Sequence, residues 1–330
     1  MTRRLLTLAL AAAFACPAHA DQPKPVAPTA PAAPAPAAPA AAAAKGTERP
    51  LLWKVSDADN DIYLLGSFHL LKPDDYPMPA DIDRAFADAE SLIFEVDPRE
   101  MTAPETVTMM QKYMVYENGQ SLSKVLPKAT LDRLSTLVSA SGSSVQALEQ
   151  SEPWAVSLGL VIGVSQGMGF RADLGLDRHL MERAAKAGKP ASGLETVDDQ
   201  MKAMDAVPYP EQADGLDEFL LDPQKAIRQL QDMHAWWRAG DVERLDRDMR
   251  ADMAAKTPQS YKLLDVDRND AWLPQIEKRL TGSKSDDTLV VVGTLHLLGA
   301  DGLVEKLKAK GYKVERVCEA CEAMPAQPGR

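Results

Sequence analysis

The chain has 330 residues, 45% of them hydrophobic and 26% charged, which is enough for a sizeable core in one large domain or two small ones. A formal net charge of −11 argues against a nucleic-acid-binding surface. After the N-terminus no apolar run reaches transmembrane length; Trp154 to Val164 comes closest, but it is short and holds two glycines.

The chain opens with Arg3 and Arg4, an apolar run from Leu5 to Ala15, and Ala18-His19-Ala20. That pattern predicts a secretory signal peptide over 1–20, cleaved before Asp21. Lipidation at Cys16 is the alternative, and Ala13-Phe14-Ala15 is a poor approach to a lipidated cysteine. Residues 21–47 are rich in Ala and Pro and predict an extended linker. The folded domain is expected over 48–317, with a helical insertion at about 104–260 and a tail over 318–330. The expected location is therefore outside the cytoplasm: periplasmic, or else secreted or anchored to the envelope.

Leu51 to Val55 and Ile62 to Leu65 flank Asp57-Ala58-Asp59-Asn60-Asp61, a hairpin signal. Ile82, Ala85, Phe86 and Ala89 recur at helical spacing, so 80–90 reads as an amphipathic helix. Leu92 to Asp97 then reads as a buried strand ending in acid. Strand, helix and strand at this spacing make a βαβ unit with parallel strands. Near the end, Leu289 to Val292, a short helix around Leu303 to Leu307 stopped by Gly311, and Tyr312 to Val317 repeat that plan. Between the two units, Leu176 to Ala185 reads as a helix stopped by Gly188, and Pro190 to Leu194 as a strand ending in Glu195. The fold class is thus α/β: a sheet core built from two βαβ units with a large helical insertion. The insertion reads as helices over 104–116, 127–140, 145–166, 197–206, 211–239 and 241–256. Met109, Met110, Met114, Met201 and Met204 are expected to fill its core.

Two stretches share one frame: Leu64-Leu65-Gly66-Ser67-Phe68-His69-Leu70-Leu71 and Val291-Val292-Gly293-Thr294-Leu295-His296-Leu297-Leu298. Each is an apolar strand, Gly, a hydroxyl residue, an apolar residue and His. Glycine lets the chain turn off the strand, and Ser67 and Thr294 can orient the loops by hydrogen bonds. Either the two histidines line one metal site, or both are satisfied core imidazoles at strand ends. Parallel strands bring their carboxyl ends to one edge, where open α/β sheets bind ligands. His69, Glu95, Glu195 and His296 all follow predicted strands. Two imidazoles and a carboxylate suit a divalent transition metal: Mn, Co, Zn or Fe. Glu95 follows Leu92-Ile93-Phe94, where an unpaired carboxylate is costly. Glu195 and Asp177 have a second reading as acids at helix N-termini. Asp97 is expected to be solvated, and His179 and His234 are expected at the surface. Cys318 and Cys321 predict a local disulfide in an exported protein.

Five motifs in order carry a family resemblance: Tyr63 to His69; Phe94-Glu95-Val96-Asp97; Gly175-Leu176-Asp177 with Gly193-Leu194-Glu195-Thr196; Arg268-Asn269 with Trp272; and Gly293 to His296. With these the chain resembles the TraB/PrgY/GumN family, related to the animal TIKI proteins, over residues 51–317. The resemblance implies an α/β sheet core with a helical insertion, and a site of two Gly-x-x-His motifs with a glutamate and an arginine. The TIKI relatives are metal-dependent peptidases, so His69, Glu95, Arg268 and His296 inherit those roles by position. Similar folds include a haem-binding lipoprotein and erythromycin esterase-like enzymes, so fold alone leaves the chemistry open. Asp267 stands where the family pattern leads one to expect Glu.

The expected function is an exported metal-dependent hydrolase acting on a peptide or protein. His69 and His296 hold the metal, and Glu95 is its third ligand or the general base. Arg268 stabilises the oxyanion and Glu195 assists catalysis, while Asp177 and Asn269 contact substrate. The alternatives are a metal- or haem-binding envelope protein without turnover and a peptide-binding adaptor with a vestigial site.

Overall fold

A computed structural model describes residues 49–117, 119–282 and 285–322. The expected signal peptide, Cys16, the linker and the last part of the tail lie outside the described residues. Six strands form one sheet: β1 (Leu52–Ser56), β2 (Asp61–Ser67), β3 (Ser91–Val96), β4 (Ala191–Glu195), β5 (Thr288–Gly293) and β6 (Lys313–Arg316), in the order β4-β3-β5-β2-β1-β6. β1 and β2 form the expected hairpin, with Leu52 opposite Leu65 and Ser56 opposite Asp61. β2, β3 and β4 run parallel to their neighbours through β5, and β6 pairs antiparallel with β1. Only β1 therefore opposes the common direction.

The helices used below are α1 (Ala80–Asp88), α2 (Pro104–Tyr113), α3 (Lys128–Ala140), α4 (Pro153–Gly167), α5 (Leu176–Ala187), α6 (Val197–Asp205), α7 (Tyr209–Leu221), α8 (Pro223–Ala239), α9 (Asp267–Gly282) and α10 (Leu303–Ala309). β2-α1-β3 and β5-α10-β6 are the two predicted strand–helix–strand units. Neither brings its own strands side by side. β5 is inserted between β2 and β3, so the two units interlock. The reason is burial: β5 reads Thr-Leu-Val-Val-Val-Gly, and Leu289 to Val292 are fully buried. A strand apolar on both faces belongs at the centre of a covered parallel sheet.

Prolines divide the predicted helices. The 145–166 segment breaks at Glu152-Pro153, where Pro153 starts α4, and 211–239 breaks at Asp222-Pro223, where Pro223 starts α8. Proline lacks the N–H that a continuing helix needs but is tolerated in a first turn. Met110, Met201 and Met204 are buried in a second apolar cluster with Trp154, and Met109 and Met114 pack against it. α9 was not expected from the sequence. Its buried side, Arg268, Asn269, Trp272, Leu273, Ile276 and Leu280, has helical spacing, but the two polar residues mask the stripe.

His234 departs from its expected place. It is buried, its Nε2 lies 2.9 Å from both carboxylate oxygens of buried Asp75, and its ring packs edge-on against Phe170. Arg238, one turn further along α8, pairs with the same carboxylate at 3.0 Å, while Asp232 is exposed. His179 is half-buried against Tyr76. Asp97 caps the short helix Pro98–Thr102 by accepting from the Arg99 N–H.

Candidate functional site

The carboxyl ends of β2, β3, β4 and β5 meet at one sheet edge and carry His69, Glu95, Glu195 and His296. Both histidines and Glu95 are buried. They line a pocket that encloses about 660 Å³, open solvent included, with apolar walls from Phe68, Met233, Leu245, Met253 and Leu264. Arg268 and Glu195 lie behind Glu95 rather than in that lining.

Each imidazole is oriented by an oxygen. The Nδ1–H of His69 donates to Asp177 Oδ1 at 2.9 Å, and Ser67 Oγ donates to the same oxygen at 2.6 Å. A carboxylate only accepts, so the proton sits on Nδ1 and Nε2 faces the pocket. Asp177 reaches this place because α5 starts against the His69 backbone: a Cβ on Gly175 would stand 2.4 Å from the His69 carbonyl oxygen. In the second motif, Asn269 Nδ2 donates to Asp265 Oδ1 and to the Asp301 carbonyl, which leaves Asn269 Oδ1 to accept from His296 Nδ1 at 2.9 Å. His296 Nε2 therefore carries the lone pair. Burial, and then the Arg268 guanidinium, push the His296 imidazolium down to about 3, so the ring is neutral. For His69, burial lowers proton affinity, but Asp177 and Glu95 together outweigh it and the net shift is upward.

Glu95 is the hub. Its Oε1 accepts the Gly293 N–H at 2.6 Å and lies 3.9 Å from His296 Nε2. Its Oε2 accepts from Arg268 Nη2 at 2.6 Å and from Gln200 at 3.3 Å. Burial alone would push the carboxyl up; Arg268, the two histidines and the Gly293 N–H hold it down at about 2. The motif glycines act by absence of bulk rather than by turning the chain. Neither has a positive φ. A Cβ on Gly293 would stand 3.1 Å from Glu95 Oε1, 3.3 Å from His69 Nε2 and 3.5 Å from His296 Cδ2. A Cβ on Gly66 would meet Thr294 Oγ1 at 2.9 Å. Thr294 Oγ1 in turn donates to the Ser67 carbonyl, tying the two motif loops together.

Arg268 is buried and all five of its N–H groups are engaged. They go to Glu195 twice, to Glu95, to the Leu264 carbonyl and to His296 Nε2, the last at 3.1 Å. An oxyanion role requires one of these bonds to break. Trp272 lies under the guanidinium and donates to Glu195 Oε2 at 3.1 Å. Glu195 is thus an anchor for Arg268 and Trp272. Asp177 and Asn269 orient the imidazoles and are buried.

Among the described residues no group of three or more His, Cys, Asp or Glu side chains has metal-binding spacing. Arg268 lies against two of the candidate donors, 3.1 Å from His296 Nε2 and 2.6 Å from Glu95 Oε2. The donor chemistry nevertheless fits. Both Nδ1 atoms are fixed by oxygen acceptors, as in metal-ligating histidines, and both Nε2 atoms flank Glu95.

Asp265 is a residue the sequence did not single out. It sits in a π-helical segment, Lys262–Val266, lines the pocket and lies 4.0 Å from His296 Nδ1. Burial pushes its carboxyl up to about 7. Its spacing of four from Asn269 was the available signal. Cys318 and Cys321 are joined as a disulfide, with Cα atoms 5.2 Å apart. No helix among the described residues is long and apolar enough to cross a membrane.

Comparison with known proteins places this site in a family. The sequence model of the TraB/PrgY/gumN family matches residues 51–316. Two relatives, the uncharacterized protein YbaP of Escherichia coli (strain K12) and that of Shigella flexneri, are each 25% identical over 246 residues, 74% of this chain and 87% of theirs. No solved structure matches the chain. The ordered motifs and the match across nearly the whole described domain lead to one conclusion: the chain belongs to the TraB/PrgY/gumN family.

Proposed function

We propose that the protein is a metal-dependent hydrolase of the cell envelope that cleaves a peptide bond beside an apolar group. The observation that carries this reading is the paired orientation of His69 and His296, each with Nδ1 held by an oxygen and Nε2 beside Glu95. His69 Nε2, His296 Nε2 and Glu95 would hold the ion. When bound, a divalent ion supplies Lewis acidity at a substrate oxygen. Asp177 raises the basicity of His69 and, with Ser67, fixes its ring. Asn269 does the same for His296 without adding charge. Glu95 is ionised at neutral pH; it would serve as the third ligand or, with the ion left to the two imidazoles, as the general base that takes a proton from an attacking water. Phe68, Met233, Leu245, Met253 and Leu264 exclude water and accept an apolar substrate group. Export is proposed from the N-terminal pattern, and the Cys318–Cys321 disulfide accords with an oxidising compartment.

The test is cleavage of a peptide library by purified protein, with and without a chelator and with Mn, Co, Zn or Fe restored. Cleavage lost on chelation, and lost in His69→Ala and His296→Ala, is the expected result. Protein that holds an ion tightly yet cleaves no peptide or ester would be a binding protein. Cleavage that is indifferent to chelator would refute the metal.

A further inference from the structure

The lone pair on His296 Nε2 is single, and an N–H of Arg268 points at it from 3.1 Å. The same guanidinium holds Glu95 Oε2 at 2.6 Å. Two of the three groups proposed to hold an ion are therefore engaged by a cation already inside the protein. We propose that Arg268 is a displaceable internal cation that competes with the divalent ion: it stabilises the buried acids and His296 when no ion is bound, and releases His296 Nε2 and Glu95, but not Glu195, when one is. The inference rests on the metal reading above and adds what sets the affinity of that site.

Three observations support competition over a fixed catalytic arginine. First, all five N–H donors are used, so none is held ready for a substrate oxyanion. Second, the arginine has an anchor independent of the ligand groups. Glu195 accepts from its Nε and Nη2, and Glu195 is itself held by Trp272 Nε1, over whose ring the guanidinium lies at 4.6 Å. Letting go of Glu95 and His296 would leave the side chain paired and stacked. Third, one guanidinium serves two buried carboxylates, Glu95 and Glu195, which Gln200 Nε2 bridges at 3.3 and 3.4 Å. Formal charge there is short by one positive unit, so an arriving cation is not excluded by net charge provided the guanidinium gives up the shared groups. A lone pair cannot accept an N–H and coordinate an ion at once. Buried charges are costly unless paired, which explains why a cation stands in the site at all.

The experiment is isothermal titration of metal-stripped protein with Mn²⁺ or Zn²⁺ alone, for wild type, Arg268→Gln and Glu195→Gln. Removing the competitor should raise affinity about tenfold or more in Arg268→Gln, within the usual span of coupling between two binding events. Removing its anchor should throw Arg268 wholly onto Glu95 and His296 and lower affinity in Glu195→Gln. Because either variant can fail to fold, the wild type supplies a third readout. The guanidinium ¹⁵N resonances of Arg268 should shift in step with Zn²⁺ added to one equivalent. Stoichiometric binding with unmoved Arg268 resonances would overturn the competition and leave the metal reading intact, as would equal affinity in folded Arg268→Gln. No binding by the wild type would remove the metal reading, and this inference with it.

Discussion

Gly293→Ala separates the fold from the site. Gly293 has φ −52° and ψ 137°, which alanine adopts without strain. The added methyl would stand 3.1 Å from Glu95 Oε1 and 3.3 Å from His69 Nε2, so both side chains must give by a few tenths of an ångström. Mild overpacking of this kind costs on the order of 1 kcal/mol. The loss of unfolded-state freedom from Gly to Ala returns about 0.4–1 kcal/mol. The net change is then within about 1 kcal/mol, a shift of about 2–4 °C in Tm for a domain of this size. The same methyl sits between the groups that would share an ion. Metal affinity should fall about 100-fold, the upper end of what a change beside a metal's ligands costs. Thermal unfolding and calorimetric titration on one preparation give both numbers. A folded variant that binds metal like wild type would refute the idea that the space at Gly293 is where a ligand sits. A fall in Tm several times larger would mean that Gly293 serves the backbone instead.

Other outcomes follow from the same contacts. Asp177→Asn should cost about 10–100-fold in metal affinity by weakening the hold on His69, with Tm changed little, and titration reads it. Burial holds the Asp265 carboxyl up to about 7 from 3.8, so the folded state keeps a proton that the unfolded chain releases and stability declines as pH rises between those values. Asp265→Asn should lack that decline, gaining up to about 4 kcal/mol on wild type between acid and neutral pH in urea melts; parallel pH profiles would refute the assignment. For Asp75 burial acts upward, but His234, the Lys72 N–H and Arg238 win and hold its carboxyl low. Its contribution is therefore present above the unfolded value and lost as pH falls through the folded one. Asp75→Asn should cost about 3 kcal/mol at neutral pH and much less in acid, and a cost that persists in acid would point to packing instead. Protein taken from the envelope should show Cys318 bonded to Cys321 by intact mass before and after reduction, and free thiols under non-reducing alkylation would count against export.

Local pattern determined much of this protein. Apolar runs and glycine punctuation located all six strands, because strand burial is written in consecutive residues such as Leu289 to Val292. The repeated Gly-x-x-His frame and the acids after the other strands named His69, Glu95, Glu195 and His296, since parallel strands must deliver their ends to one edge. What the sequence left open depends on partners far away in the chain. The insertion of β5 between β2 and β3 is a choice among pairings of similar apolar strands, which periodicity does not distinguish. His69 takes its tautomer from Asp177, 108 residues on, and His296 from Asn269 on a helix whose polar face hid it. Arg268 was legible as a site residue, but not that Glu195, Glu95, the Leu264 carbonyl and His296 consume every donor it has. His234 looked solvated among charged neighbours, yet α8 turns it inward onto Asp75, 159 residues earlier. Hydrogen-bond partners and charge balance belong to the packed interior, where a buried polar group must be satisfied by whatever the fold brings beside it.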